Sequence, residues 1–382
     1  MYLSAPLERK YTKETLSARE AQRLAEFIAF GPIVFEVSRL MIKWGILEML
    51  RTEELTTAEV AERAGVSVYA AKCLLEASLG IGTVLVNKDT DRFSISKTGW
   101  FLLNDPATRV NVDFNHDVTY QGMFRLEEAL KEGRPVGLKH FGNWSTIYEG
   151  LSRLPDDARK SWFAFDHFYS DSSFEEALAI VFAKKPRELM DVGGNTGRWA
   201  MQCVAHDEAV RVTIVDLPQQ LELMRRYTAG KHGADRIDGY AMNLLDRESR
   251  FPTDKHFDAI WMSQFLDCFG EDEIESILAR AARVMDENTT LYIMETLWDR
   301  QKYETAAFCL TQTSLYFTDI ANGNSKMYHS DDLIRLIGKA GLRVDKIHDN
   351  LGQGHSIIEV KTQNISIEII SIYGKKRNRR KS

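Results

Sequence analysis

The sequence predicts an α/β chain in two parts: a helical module closed by a short hairpin, then a doubly wound, mostly parallel sheet. Three observations predict it. Leu189-Met-Asp-Val192 runs into the glycine loop Gly193-Gly-Asn-Thr-Gly197 and on into a helix from Arg198 to Ala205. Val210-Arg-Val-Thr-Ile-Val-Asp216 is a second apolar run ending in a carboxylate, which completes the βαβ grammar of a nucleoside-binding half-sheet. Far upstream, three helical patterns and two short strands follow one another in the order helix, helix, helix, hairpin. A chain of 382 residues has room for both cores.

From Ala18 to about Leu50 the apolar residues recur at helical spacing: Leu24, Phe27, Ile28, Val34, Val37, Leu40, Ile46 and Leu47. Thr56-Thr-Ala-Glu59 is a capping box that opens a short helix ending at Gly65. Ser67 starts the next helix, Val68 to Leu79. Gly82-Thr-Val-Leu-Val86 and Arg92-Phe-Ser-Ile-Ser96 read as strands joined by a polar turn. Together they predict a winged helix. Its second helix carries one lysine and one glutamate, too little positive charge for phosphate contacts, so a dimerisation module is expected rather than a DNA reader. Apolar faces on residues 24 to 50 exceed what so small a module buries alone, which predicts a homodimer.

Residues 110 to 185 read as mostly helical. They contain Trp162-Phe-Ala-Phe-Asp-His-Phe-Tyr169, dense in aromatics. Such a run is either a core helix or the wall of a substrate pocket, and Trp162, Phe165, Phe168 and Tyr169 are its candidates. Later strands are expected at Phe257–Ser263, Thr290–Glu295, Leu342–Ile347 and Ser356–Val360, with helices at Glu271–Met285 and from Ser330 to Gly341. The expected domains are 1–105 for the dimerisation module, 106–185 for a helical linker and pocket region, 186–364 for the sheet domain, and 365–382 for a basic, solvated tail.

The glycines are spaced D-x-G-x-x-x-G rather than G-x-G-x-x-G. A dinucleotide seats its pyrophosphate on the helix N-terminus and uses a third glycine to pack the helix there. A nucleoside without phosphates fits this loop better, and S-adenosylmethionine is the cofactor it suggests, with Asp216 taking the ribose hydroxyls.

The net charge of -6 hides an asymmetry. Six basic residues from Lys375 to Lys381 fall within the last eight positions, so the rest of the chain carries -12, a poor partner for nucleic acid. Four scattered cysteines without metal-ligand spacing suggest reduced thiols, a cytoplasmic protein and no metal. No apolar run approaches membrane-spanning length, so no membrane partner is expected.

On Asp191-Val-Gly-Gly-Asn-Thr-Gly197 and Val215-Asp-Leu-Pro218 the chain resembles the S-adenosylmethionine-dependent O-methyltransferases of the hydroxyindole, caffeic acid and bacterial polyketide type, from about residue 18 to 361. The resemblance implies a Rossmann-like, seven-stranded methyltransferase sheet behind the winged-helix dimerisation domain. It also implies that Gly193 and Gly194 face the methionine part and Asp216 the ribose. Asp191, Leu217, Ser263 and Ser172 join the expected cofactor set. Where the family shows G-D-F-F this chain has Met242-Asn-Leu-Leu245, so Asn243 is expected at the adenine edge and Leu244 on the ring. Ser263 corresponds to a family lysine.

The chemistry departs further. The family histidine that takes the acceptor proton corresponds to Asp267, in Phe265-Leu-Asp-Cys-Phe269. Of the two glutamates that orient it, the first matches Glu295 and the second aligns with Lys326. Asp267 and Lys326 are therefore expected to form a pair that replaces the histidine and its glutamate. Asp267 also stands where an ordinary N-cap for the helix at Glu271 would. The function expected is O-methylation of a small aromatic or polyketide-like acceptor by a cytoplasmic homodimer. The alternatives are a repurposed, non-methylating member of the same fold, or a winged-helix regulator that senses a ligand through its second domain.

Overall fold

The computed structural model describes residues 1–363; the basic run expected as a solvated tail lies outside the described residues. The chain divides into two compact units. One comprises Arg9–Lys131 and Pro135–Phe168; the other comprises Met1–Glu8, Glu132–Arg134 and Tyr169 onward. This corrects the expected boundaries at two places. Residues 106–168 belong to the first unit instead of standing as a separate linker, and residues 1–8 belong with the sheet. Ser4 N–H donates to Asp299 O at 2.9 Å, Ser4 Oγ donates to Gln301 O at 2.7 Å, and Leu7 is fully buried.

In the first unit, α1 (Ala18–Ala29) starts from Ser17, whose side chain and Glu20 form a capping box. Proline at the start of α2 (Gly31–Lys43) suits a first turn that needs no donor there. α3 (Ile46–Thr52), α4 (Thr57–Ala64) and α5 (Val68–Ile81) pack around Met41, Leu47, Leu50, Val60 and Leu75. The Thr56–Glu59 box caps α4 as the sequence suggests. β1 (Val84–Asn87) and β2 (Arg92–Ile95) pair antiparallel. β1 starts two residues later than expected because Gly82, at φ 90°, ends α5 in a left-handed turn. Leu55 adds a bridge to Phe93 that no periodicity announced. α1 buries none of its residues, and Leu24, Phe27 and Ile28 remain 49%, 43% and 69% exposed. α6 (Asp156–Ser170) carries the aromatic run.

The second unit is a seven-stranded sheet built from β3 (Glu188–Val192), β4 (Arg211–Asp216), β5 (Ile237–Ala241), β6 (Ala259–Ser263), β7 (Thr290–Glu295), β8 (Leu342–Leu351) and β9 (His355–Thr362). Its order is β5-β4-β3-β6-β7-β9-β8. The first five strands are parallel, and β9 runs antiparallel between β7 and β8. The parallel strands read as apolar runs because both faces are covered. One face packs on α7 (Phe174–Val181), α8 (Arg198–His206) and α9 (Pro218–Thr228) through Trp199, Cys203, Leu221 and Trp261. The other packs on α10 (Glu271–Ala282) and α11 (Ser330–Lys339) through Ile274, Leu278, Leu333 and Ile337. His329, not Ser330, is the N-cap of α11, its ring accepting from Asp331 N–H. In this arrangement the strand ends at Val192, Asp216, Ser263 and Glu295 all lie along one edge of the sheet, where open α/β sheets bind ligands.

Candidate functional site

The glycine loop is built by close approach. Gly193 has φ 75°, and a Cβ on it would lie 2.3 Å from the Phe265 ring. A Cβ on Gly194 would lie 2.4 Å from Asp191 Oδ2. Gly197, at φ 81°, starts α8. Only residues without a side chain let this backbone pass between the turn at 265 and the carboxylate below it.

Two acids flank the loop. Asp191 is 2% exposed, and its Oδ2 is buried with no hydrogen-bond partner. Burial, then the charge of Asp216, pushes its carboxyl up to about 8. Asp216 ends β4 and accepts from Asn195 N–H (2.9 Å) on Oδ2 and from Leu217 N–H (2.7 Å) on Oδ1. Burial raises its carboxyl too, against those two N–H donors. Each oxygen of Asp216 keeps a lone pair for a ligand hydroxyl.

The turn after β6 carries the second cluster. Ser263 ends the strand, opposite Met294 in register. Gln264 takes φ 44°, unusual for a residue with a side chain, and its Oε1 is buried without a partner. Phe265 N–H (3.0 Å) and Leu266 N–H (2.8 Å) both donate to Glu295 Oε1 at the end of β7. Glu295 is 3% exposed with Oε2 unpartnered. Burial, then the charge of Asp267, drives its carboxyl well above the usual range, although three backbone N–H groups pull the other way. Asp267 is 5% exposed, and the Cys268 thiol lies 3.5 Å from its Oδ1.

The expected pair of Asp267 with Lys326 is corrected here. Lys326 Nζ meets Asp332 Oδ2 at 3.3 Å, on a side chain 47% exposed. The neighbour that acts on Asp267 is Glu295, so the cluster is two carboxyl groups rather than an acid and a base. Asp267 is not the cap of α10 either: Gly270 is, with its N–H donating to Glu273 at 2.8 Å. The physical reason lies in the approach of residues 322–328. Asn322 Nδ2 donates to Cys268 O and Tyr328 OH to Phe269 O at 2.6 Å, which fixes the turn while Lys326 pairs outside it.

Of the other expected residues, Asn243 is exposed and its Oδ1 accepts from Leu245 N–H at 3.0 Å, a local turn that leaves the amide N–H₂ available. Leu244 was expected on the adenine ring; it is 8% exposed and lies in the core cluster, whereas Leu245 is 50% exposed. Ser172 is exposed, with Oγ donating to Tyr169 O at 3.2 Å. Trp162, Phe165 and Phe168 fall in the first unit and Tyr169 in the second. Phe165 stacks on Phe114 at 4.1 Å, so that ring has a packing partner within its own unit. Sequence reasoning missed Gln264, Asn322 and Arg280. Arg280 is 5% exposed and donates from Nη1 to Asp246 O at 3.0 Å and to Ser249 Oγ at 2.7 Å, holding the loop after Met242 in shape. An arginine on a helix gives no sign in the sequence that it will be buried.

Two family models match this chain: a Dimerisation2-like domain over residues 22–93 and a methyltransferase domain over residues 190–291. The chain belongs to the two-domain methyltransferases. The methyltransferase is 24% identical over 263 residues to the 3-hydroxy-5-methyl-1-naphthoate 3-O-methyltransferase of Streptomyces sahachiroi, covering 68% of this chain and 73% of that one. Among solved structures it is similar to the S-adenosylmethionine-dependent methyltransferase SibL in its apo form, with TM-score 0.66, 20% identity, and 88% and 98% of the two chains covered. It is also similar to NcsB1, an O-methyltransferase from neocarzinostatin biosynthesis in complex with S-adenosylmethionine and 2-hydroxy-5-methyl naphthoic acid. There the TM-score is 0.62 at 18% identity, covering 86% of this chain and 95% of that one. The family and the seven-stranded fold expected from the glycine loop are the ones found.

Proposed function

We propose that this methyltransferase uses S-adenosylmethionine to methylate a hydroxyl oxygen of a small aromatic or polyketide-like acceptor, and that it works as a cytoplasmic homodimer. The observation that carries the reading is the seating of Phe265 over Gly193, which joins the glycine loop to the turn that bears Asp267. The residues present fit the cofactor: the loop is a cradle that any Cβ would fill, and a buried carboxylate oxygen lies unpartnered beneath it. Four free cysteines accord with a reducing compartment. The two-helix and hairpin arrangement of α4, α5, β1 and β2 supports a winged-helix reading, and the exposed face of α1 supports a second copy as its partner.

When bound, S-adenosylmethionine supplies a methyl group on a sulfonium sulfur. Asp216 holds the ribose hydroxyls beside Leu217, Asn243 meets the adenine edge through its amide, and Gly193, Gly194, Ser172 and Ser263 border the methionine end. Asp267 accepts the proton of the acceptor hydroxyl as its oxygen takes the methyl group. Glu295, neutral at working pH because its carboxyl is pushed up, adds no second charge beside Asp267. Most of the rate comes from holding acceptor and methyl group in contact and away from water.

Incubating the full chain with methyl-labelled S-adenosylmethionine and a panel of hydroxylated naphthoic and benzoic acids tests the reading. Labelled methyl ether is expected. Cofactor binding by calorimetry without label transfer to any acceptor would favour the repurposed, non-methylating alternative, for which the specific observation is an aspartate where the family carries histidine. Retention on DNA without cofactor binding would favour the regulator.

A further inference from the structure

The acids at the glycine loop make an odd cofactor site on their own. Asp191 sits on β3 with Oδ2 directed at Gly194, 2% exposed and unpartnered, while Asp216 one strand away spends both oxygens on backbone N–H groups. The groups that face Asp191 are few among the described residues. β4 presents Asp216, α8 presents the Cys203 thiol, and β6 presents Trp261 in register with it. Arg198 opens α8 at the far end of the loop and is not among the groups that shift Asp191. Two carboxylates side by side in a dry cradle repel one another, and one of them can relieve this only by holding a proton or meeting a cation.

We infer that Asp191 and Asp216 share one proton while the site is empty, and that this proton leaves when the cationic cofactor enters, so the site tells the sulfonium substrate from its neutral thioether product. The inference rests on the reading of this loop as the S-adenosylmethionine site. The exchange balances: the O–H bond of one carboxyl breaks, the proton goes to solvent, and the positive charge of the sulfonium takes its place. After methyl transfer the sulfur is neutral, the two carboxylates face each other again, and a proton returns from solvent as S-adenosylhomocysteine is held less well. Asp191 thus disfavours the product by the same repulsion that the substrate's charge relieves. Burial and Asp216 set the Asp191 carboxyl near 8, which places the exchange in the working range of pH.

The test is calorimetric titration of the full chain at pH 7 in phosphate and in Tris, whose ionisation heats differ widely. S-adenosylmethionine and S-adenosylhomocysteine are titrated in turn. Their α-amino groups ionise alike and cancel in the comparison. Roughly one more proton should be released with the sulfonium ligand than with the thioether. Affinity for S-adenosylmethionine should rise up to about tenfold per pH unit between pH 6 and 7 and level off above 8. Asp191→Asn should abolish both the extra proton and the rise. Equal proton release by the two ligands in the wild-type protein would overturn the inference, as would an unchanged difference in Asp191→Asn. The wild-type arms carry the test even where the variant fails to fold. A protein that binds neither ligand in either buffer would overturn the cofactor reading itself, which is a different result from binding without the proton.

Discussion

Asp267 divides the possible chemistries at the scale of single residues. Asp267→Asn keeps the shape of the side chain and removes its basicity, so kcat should fall by ~10²-fold or more while the affinity for S-adenosylmethionine holds. Lys326→Ala should change kcat by no more than about threefold, because an ion pair with Asp332 on a half-exposed side chain is worth ~0–1 kcal/mol. Steady-state kinetics beside calorimetry separates the two, and a large fall in kcat for Lys326→Ala would restore the pairing this structure lacks. Gly193→Ala meets the Phe265 ring and a left-handed backbone together, so it should cost ~1–3 kcal/mol in stability and loosen the cofactor. Thermal unfolding with and without S-adenosylmethionine measures both. Asp191, the two glycines and Asp216 were legible in the sequence because a strand end and the turn after it are local events. The partner of Asp267 was not. Glu295 reaches it from the next strand, and Asn322 and Tyr328 fix its turn from 54 and 59 residues away, distances at which spacing carries no signal.

Elements were easier to read than contacts. β3, β4, β6 and β7 are continuous apolar runs because helices cover both faces, and their ends fell within two residues of expectation. β5 resisted. Ile237-Asp-Gly-Tyr-Ala241 is an edge strand with one buried residue, so neither an apolar run nor an alternation marks it. The capping boxes at Ser17 and Thr56 were more reliable than propensity, since each names its own first turn. α1 makes the prediction that belongs at this scale. Ile28→Glu places a charge in a face left 43–69% exposed at Leu24, Phe27 and Ile28, and multi-angle light scattering should show a dimer for the parent and a monomer for the variant. A parent chain that is monomeric at micromolar concentration would remove the second copy from the reading.

For the whole molecule, two buried groups set how stability follows pH. His355 accepts from Ser173 Oγ at 2.8 Å, is fully buried, and has its ring pushed down to about 4. The unfolded chain therefore binds more protons than the folded one between about 4 and 6.5, and stability is lost as pH falls through that window. Asp191 acts in the opposite sense. Its folded carboxyl near 8 binds a proton that the unfolded chain gives up near 4, so stability is lost as pH rises between them. The two slopes cancel up to about 6.5, and that of Asp191 remains above it, at ~1.4 kcal/mol per pH unit. The thermal midpoint of the ligand-free protein should fall between pH 6.5 and 8, and Asp191→Asn should flatten the fall; a midpoint level across that range would contradict the placement of this acid. The order β7-β9-β8 has a consequence for birth rather than for catalysis. A nascent chain that has emerged as far as β8 has no neighbour for it to pair with, because the strand that belongs between β7 and β8 is still in the ribosome. Residues 2 to 7, synthesised first, dock on residues 299–301 and 329–331 and wait through most of translation for their seat. The sheet domain thus closes after its synthesis is nearly over, and until then the open edge of β7 is the surface a chaperone would guard.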